Sequence, residues 1–265
     1  MAIAKQVIEF SANDSQQNVA VAAPDGPEPG LVETPSHRKL RQLFAHAHKG
    51  TLVLAYGGAG VGKTTAATRY ANEHREYGKA AHLINLLGVK TPTQMLHTIA
   101  EGIHAPGSMG AYRNVSLMRA LGGYLNSSEM LILDESQSLR PDALDILRFF
   151  LDSSGVGLAL LGNELVFSAI AGKNRRALFA QLHSRVGMRL HIPHSTEADA
   201  DAVLAAWGIV DGPGKDYGRQ IAIGPGGLRQ LTQVLRQTRI ASAATKRAMD
   251  HQLMYAAASA LGLAD

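Results

Sequence analysis

Apolar residues in this chain gather into five short runs separated by stretches with helical spacing. The runs are TLVLAY (51–56), KAAHLINLL (79–87), EMLILDE (129–135), VGLALLGN (156–163) and GMRLHIP (187–193). TLVLAY is a short apolar run, which predicts a buried strand, and the other four runs read as strands two to five. Between them the spacing predicts helices. In SHRKLRQLFAHAHKG, Ser36 is placed to cap a helix with Leu40, Leu43, Phe44 and Ala47 on one face, and Gly50 ends it. KTTAATRYANEHREYG follows the first strand. TPTQMLHTIAEGI has Thr91 as cap and Pro92 at the first helical position. SLMRALGGYLN is helical but broken by its glycines, and PDALDILRFFLDSSG (141–155) is a capped helix. Strands alternating with helices predict an α/β fold with a parallel sheet covered on both sides.

The pattern changes at both ends. Residues 11–35 are rich in Ala, Pro, Gly and polar residues with no sustained period, so 1–35 is expected to be a flexible tail. After Pro193 only helical patterns remain: STEADADAVLAAWG, GGLRQLTQVLRQTRIASA and TKRAMDHQLMYAAASALGL. This divides the chain into the tail (1–35), an α/β core (36–193) and a helical lid (194–265). Of its 265 residues 46% are hydrophobic, enough for one core with a small appendage. The absence of cysteine excludes disulfides and thiolate metal sites and fits a reducing cytoplasm. The opening MAIAKQVIEF lacks the apolar core of a secretory leader and no run is long enough to span a membrane, so no membrane partner is expected. A net charge of +4 permits a polyanionic partner without requiring one, and sparse aromatics argue against base stacking.

The densest chemistry lies just after the first strand. Gly57, Gly58, Ala59, Gly60, Val61, Gly62, Lys63, Thr64 and Thr65 carry the spacing of a phosphate cradle, between an apolar strand and a helix. Glycines let consecutive amides turn inward, and the helix directs its positive end at the phosphates. Lys63 would reach the β- and γ-phosphates of ATP, and the Thr64 hydroxyl would ligate Mg²⁺. About 70 residues on, MLILDES ends a strand with Asp134 and Glu135 at its carboxyl edge, where ligands bind in open α/β sheets. Asp134 is placed to hold the Mg²⁺ shell and Glu135 to deprotonate an attacking water. An acid adjacent to the metal-holding aspartate favours hydrolysis over transfer to a substrate hydroxyl. Asn163, at the tip of the fourth strand, either positions that water or merely turns the strand into a loop. Arg185 precedes the fifth strand, with Arg175 and Arg176 as rivals for a phosphate-stabilising arginine; each is also readable as a surface charge. Arg229 lies in the first turn of the helix opened by Gly226-Gly227, where a cation opposes the helix dipole and suggests a nearby anion.

In order, the set is cradle, Asp-Glu, strand-end Asn, Ser-Arg, and Gly-Gly-x-Arg in a helical lid. It resembles the AAA+ ATPases over residues 36–265. The resemblance implies an ATP-hydrolysing P-loop core with a five-stranded parallel sheet and C-terminal helical lid. In it Lys63 and Thr64 stand in Walker A, and Asp134 and Glu135 in Walker B. Asn163 is sensor 1, Arg185 the arginine finger and Arg229 sensor 2. Within that class, ETPSHRKLRQLFAHAHKGTLVLAYGGAGVGKTTAATRYA, LILDESQSL and GNELVF resemble the small transposition regulators, the Mu B, TnsC and TniB group. That resemblance implies ATP-dependent, sequence-independent binding to double-stranded DNA, self-assembly as a filament or ring, delivery of target DNA to a transposase, and hydrolysis-driven disassembly in a bacterial cytoplasm. Mu B has an N-terminal helix-turn-helix domain that residues 1–35 are too short to supply, so DNA contacts are expected from core or lid.

In filaments of that group the loops after the second strand line the channel. This nominates Lys90 and Thr91, then Arg113 and Asn114, as phosphate contacts. Arg236, Arg239, Lys246 and Arg247 form a second basic cluster, for DNA or a neighbouring subunit. Other readings share the nucleotide chemistry: a helper ATPase in replication initiation or helicase loading, or a nucleotide-switched signalling or secretion module without DNA. A small-molecule kinase would need an acceptor pocket that the sequence does not reveal.

Overall fold

Three apolar clusters organise the chain, one on each face of a central sheet and one among the C-terminal helices. The structure is a computed structural model that describes residues 28–76, 78–106, 113–166 and 184–263. The elements run α1 (Pro35–Ala47), β1 (Leu52–Gly57), α2 (Lys63–Glu73), β2 (Ala81–Asn85), α3 (Pro92–Gly102), α4 (Asn114–Tyr124), β3 (Met130–Asp134), a 3₁₀ turn (Ser136–Ser138), α5 (Pro141–Ser154), β4 (Gly157–Gly162) and β5 (Val186–Ile192). Four helices follow: α6 (Glu197–Ala206), α7 (Gly212–Ile223), α8 (Gly227–Thr245) and α9 (His251–Ala260). Among the described residues, no helix is long and apolar enough to cross a membrane.

The strands pair in the order β2-β3-β4-β1-β5, all parallel. Their side chains alternate between two layers, as the strand period requires. Leu52, Leu54, Leu131, Leu133, Leu158 and Leu160 face α3, α4 and α5. Val53, Ala55, Met130, Ile132, Ala159 and Leu161 face α1 and α2. Every residue of β1, β3 and β4 is buried, which explains their unbroken apolar runs. The edge strand β5 is mostly exposed, and its sequence is correspondingly mixed. Each buried leucine contributes about 1.5–3 kcal/mol relative to exposure.

Several local expectations need correction. Thr34, not Ser36, caps α1: its hydroxyl accepts from the His37 amide at 3.2 Å, and Pro35 takes the first helical position. Ser36 instead binds Asp199, its amide reaching Oδ1 at 2.8 Å and its hydroxyl Oδ2 at 2.7 Å. Leu40, Leu43, Phe44 and Ala47 are buried as the spacing requires. α2 ends at Glu73, short of the expected Gly78. α4 is not broken by Gly122 and Gly123. A β-carbon at Gly122 would lie 2.8 Å from the Phe149 ring, so this glycine allows α4 to approach α5.

A helix absent from the sequence reading, α7, begins after Asp211 at Gly-Pro-Gly. Its glycines disguise it, yet one of them serves packing: a β-carbon at Gly218 would lie 2.6 Å from Leu204 Cδ2. The last expected helix, over 245–263, starts only at His251. Lys246 closes α8 in the left-handed region, and Asp250 caps α9 by accepting from the Leu253 amide at 2.8 Å. The four helices enclose Val203, Leu204, Trp207, Leu231, Val234, Leu235 and Met254, and Val32 packs against this cluster.

Candidate functional site

A cavity of about 700 Å³ opens at the carboxyl edge of the sheet, between the loop after β1 and the C-terminal helices. Gly57, Ala59, Gly60, Val61, Gly62, Lys63, Thr64 and Thr65 line one side. Gly57 shows why the loop needs glycine: its φ is +137°, and a β-carbon there would lie 2.0 Å from the Ile192 carbonyl oxygen at the end of β5. Lys63 Nζ donates to the carbonyl oxygens of Gly57 (3.0 Å) and Gly58 (2.7 Å). Burial pushes the Lys63 ammonium below the usual lysine range. Asp134, Glu135 and Glu164 oppose that shift, and Arg229 adds to it. A desolvated lysine of this kind attracts phosphate charge more strongly than one in water.

β3 delivers the acidic pair. Asp134 is 4% exposed, and its Oδ2 accepts from Thr64 Oγ1 at 2.6 Å. Its Oδ1 accepts from the Glu135 amide at 2.9 Å. Thr64 and Asp134 therefore present a hydroxyl and a carboxylate side by side, the oxygen set a Mg²⁺ ion takes beside a nucleotide. Glu135 sits in the left-handed region at φ +58°, and its Oε2 accepts from Gln137 Nε2 at 2.5 Å. Asn163, after β4, also lines the cavity, with Oδ1 accepting from the Leu165 amide at 2.9 Å. Arg229 closes the cavity from the head of α8. The cradle, Asp134, Glu135, Asn163 and Arg229 thus share one cavity.

Arg185 stands elsewhere. It precedes β5 at the amino edge of the sheet, the edge opposite the cradle. Its Nε and Nη2 donate to Asp152 Oδ1 and Oδ2 at 2.7 and 2.8 Å. Arg175 and Arg176 lie outside the described residues. Lys90 and Thr91 lie on the loop from β2 to α3, and Thr91 caps α3 reciprocally with Gln94. Asn114 Nδ2 donates to Thr93 Oγ1 at 2.7 Å, which joins the head of α4 to the first turn of α3. Lys90 and Arg113 are exposed on this surface.

In the second basic cluster three of the four cations have internal partners. Arg236 pairs with Glu28 at 2.5 Å, Arg239 lies over Trp207 at 5.6 Å, and Arg247 meets Asp250 at 2.9 Å.

Sequence reasoning missed the far wall of the cavity. Pro29, Leu31, Val32, Val203, Trp207 and Leu228 give the cavity an apolar lining, suited to an aromatic base. These residues come from segments read as tail and lid core. The usable signal was Trp207, the single tryptophan of the chain.

Residues 46–170 match the family model for an AAA domain, and residues 184–261 match that for the C-terminal part of the Mu B transposition protein. The ATP-dependent target DNA activator B of Escherichia phage Mu is 33% identical over 214 residues, covering 78% of this chain and 66% of that protein. The DNA transposition protein B of Mu-like prophage FluMu from Haemophilus influenzae is 30% identical over 210 residues, covering 77% of this chain and 71% of the relative. Among solved structures, the Aeropyrum pernix ORC2 protein superposes with a TM-score of 0.64 at 18% identity, covering 84% of this chain and 66% of that one, which shows a shared fold. The chain spans 66% of the length of its phage Mu relative. With an AAA domain followed by the Mu B C-terminal module, the chain belongs to the Mu B family of transposition proteins.

Proposed function

We propose that this chain is an ATP-gated DNA-binding ATPase that assembles on duplex DNA, presents it to a transposase as target, and leaves it after hydrolysis. The observation that carries the reading is the position of Asp134. Its carboxylate takes the Thr64 hydroxyl on the nucleotide side, while its carbonyl oxygen accepts from the Leu86 amide at 2.9 Å. Leu86 begins the loop that carries Lys90. One residue therefore joins the phosphate site to the buried start of the loop nominated for DNA.

In the nucleotide site, the amides of the cradle and Lys63 hold the β- and γ-phosphates, and Arg229 adds charge from the lid. Glu135 orients a water and takes its proton as the water attacks the γ-phosphate, with Asn163 flanking it. A bound Mg²⁺, held by Thr64 with Asp134 behind it, supplies neutralisation of phosphate charge. Arg185, on the opposite edge of the sheet, serves the nucleotide of a neighbouring subunit, so hydrolysis requires a homo-oligomer, filament or ring. Lys90 and Arg113, with Thr91 and Asn114 between them, contact DNA phosphates without reading sequence. The reaction takes place in the bacterial cytoplasm.

The test is assembly on random-sequence duplex DNA with a non-hydrolysable ATP analogue, read by anisotropy and electron microscopy. Ordered filaments or rings that need nucleotide are expected, and Glu135→Gln should hold them with ATP itself. Absence of both binding and assembly would sink the reading.

A further inference from the structure

We propose that Gln137 is a positioning residue for hydrolysis, holding the Glu135 carboxylate in place and tying it to the tip of β4. The proposal rests on Glu135 being the base. Backbone geometry makes the contact. Glu135 turns the chain in the left-handed region, which an L-residue keeps only where its surroundings enforce it. The 3₁₀ turn Ser136–Ser138 follows at once, anchored by Ser136 Oγ donating to the Leu133 carbonyl oxygen at 2.7 Å. This reversal lays residue 137 back alongside residue 135, and Gln137 Nε2 donates to Glu135 Oε2 at 2.5 Å. The orientation of the amide is chemically forced, because a carboxylate accepts hydrogen bonds and does not donate them.

The other end of the amide is buried against β4, and Oε1 has no hydrogen-bond partner among the described residues. A leucine or methionine of similar size would fill this space but could not hold the Glu135 carboxylate, which is what the nitrogen does. Room for it comes from Gly162, the last residue of β4. A β-carbon there would lie 2.6 Å from Gln137 Oε1 and 2.3 Å from Val166 Cγ2. Gln137 is thus seated against the strand end that carries Asn163, while its nitrogen holds Glu135. With Oε2 occupied, Oε1 is the oxygen left for the water, and both residues line the cavity.

The experiment compares Gln137→Leu, Gln137→Glu and Glu135→Gln in the full chain, with Mg-ATP and duplex DNA. The readouts are kcat, KM, affinity for a non-hydrolysable ATP analogue, and thermal melting. Gln137→Leu is expected to lower kcat about tenfold or more, the cost of a loosely held base, with KM, analogue affinity and melting essentially unchanged. Gln137→Glu keeps the size, sets carboxylate against carboxylate, and should fall at least as far; it decides the matter if the leucine variant does not fold. An unchanged or raised kcat in the Gln137 variants, with Glu135→Gln inactive, overturns this proposal and leaves Glu135 as base. Loss of affinity or stability in step with kcat makes Gln137 structural and overturns it too. Normal turnover by Glu135→Gln removes the base assignment, and this proposal with it.

Discussion

Gly60 in the cradle meets Gly226 at the head of α8 so closely that a β-carbon on Gly60 would lie 1.9 Å from the Gly226 carbonyl oxygen. The same β-carbon would lie 3.4 Å from Arg229 Cβ. The lid therefore rests directly on the phosphate loop, and Arg229 stands at that contact. Gly60 also has φ +76°, so an alanine there meets both a strained backbone and a collision. Gly60→Ala is expected to weaken ATP binding roughly a hundredfold or more, with the sheet still folded, because it displaces the loop whose amides are proposed to hold phosphate. Arg229→Ala should cost about tenfold and lower the preference for ATP over ADP, since it removes one charge and leaves the loop in place. Titration of both nucleotides against each variant checks this; equal losses for the two variants would separate the lid contact from the binding geometry.

Arg185 and the cradle lie on opposite edges of one parallel sheet, about 15–20 Å apart along a strand of this length. It cannot serve the nucleotide of its own subunit across that distance. Arg185→Ala and Glu135→Gln should each reduce turnover to background. Mixed in equal amounts they should regain activity several-fold above either alone, because a subunit with an intact base can borrow the arginine of its neighbour. The bond to Asp152 is partly exposed, so losing it costs less than about 1 kcal/mol of stability. No recovery in the mixture would remove Arg185 from the catalytic set.

The strands and the phosphate loop were legible because their signals are local. A buried central strand reads as an apolar run, and an amide cradle needs glycines at fixed spacing. What escaped depends on partners distant in sequence. Ser36 looks like a cap until Asp199, 163 residues away, claims its amide and hydroxyl. α7 looks like a loop because Gly212, Gly214 and Gly218 lower helix propensity, and only Leu204 reveals that Gly218 admits a neighbouring helix. The apolar wall of the cavity joins residues 29–32 to Val203 and Trp207, a juxtaposition no local pattern announces. Gln137 was passed over because an i to i+2 contact requires the reversal at Glu135, and nothing in the residue type of a glutamate predicts a positive φ.

Asp199 ties α1 to α6 and should dominate the acid stability of that junction. It is fully buried. Burial opposes its charge, but the amides of Ser36 and Thr196, then their hydroxyls, outweigh it and hold its pKa below the ordinary aspartate value. Its contribution is therefore present above the ordinary aspartate pKa of about 3.9 and is lost as pH falls through the lower folded value. Asp199→Asn should destabilise the protein by roughly 2 kcal/mol, or about 4–8 °C in Tm, at neutral pH. The gap from wild type should close toward pH 3. Melting curves across that range test it, and a pH-independent gap would mean that the charge is not what matters.

The surface around Lys90 and Arg113 gives the sharpest test of the proposed DNA contact. If both contact phosphates, Lys90→Ala and Arg113→Ala should each weaken binding about equally for unrelated duplex sequences. Each should also reduce the slope of log affinity against log salt by about 0.9. ATP affinity should not change, because neither residue lines the nucleotide cavity. Arg247→Ala is the informative control. Its guanidinium is already engaged by Asp250 and Gln252, so the salt slope should stay at the wild-type value. A slope that falls for Arg247→Ala and not for Lys90→Ala would move the DNA from the β2–α3 loop to the lid.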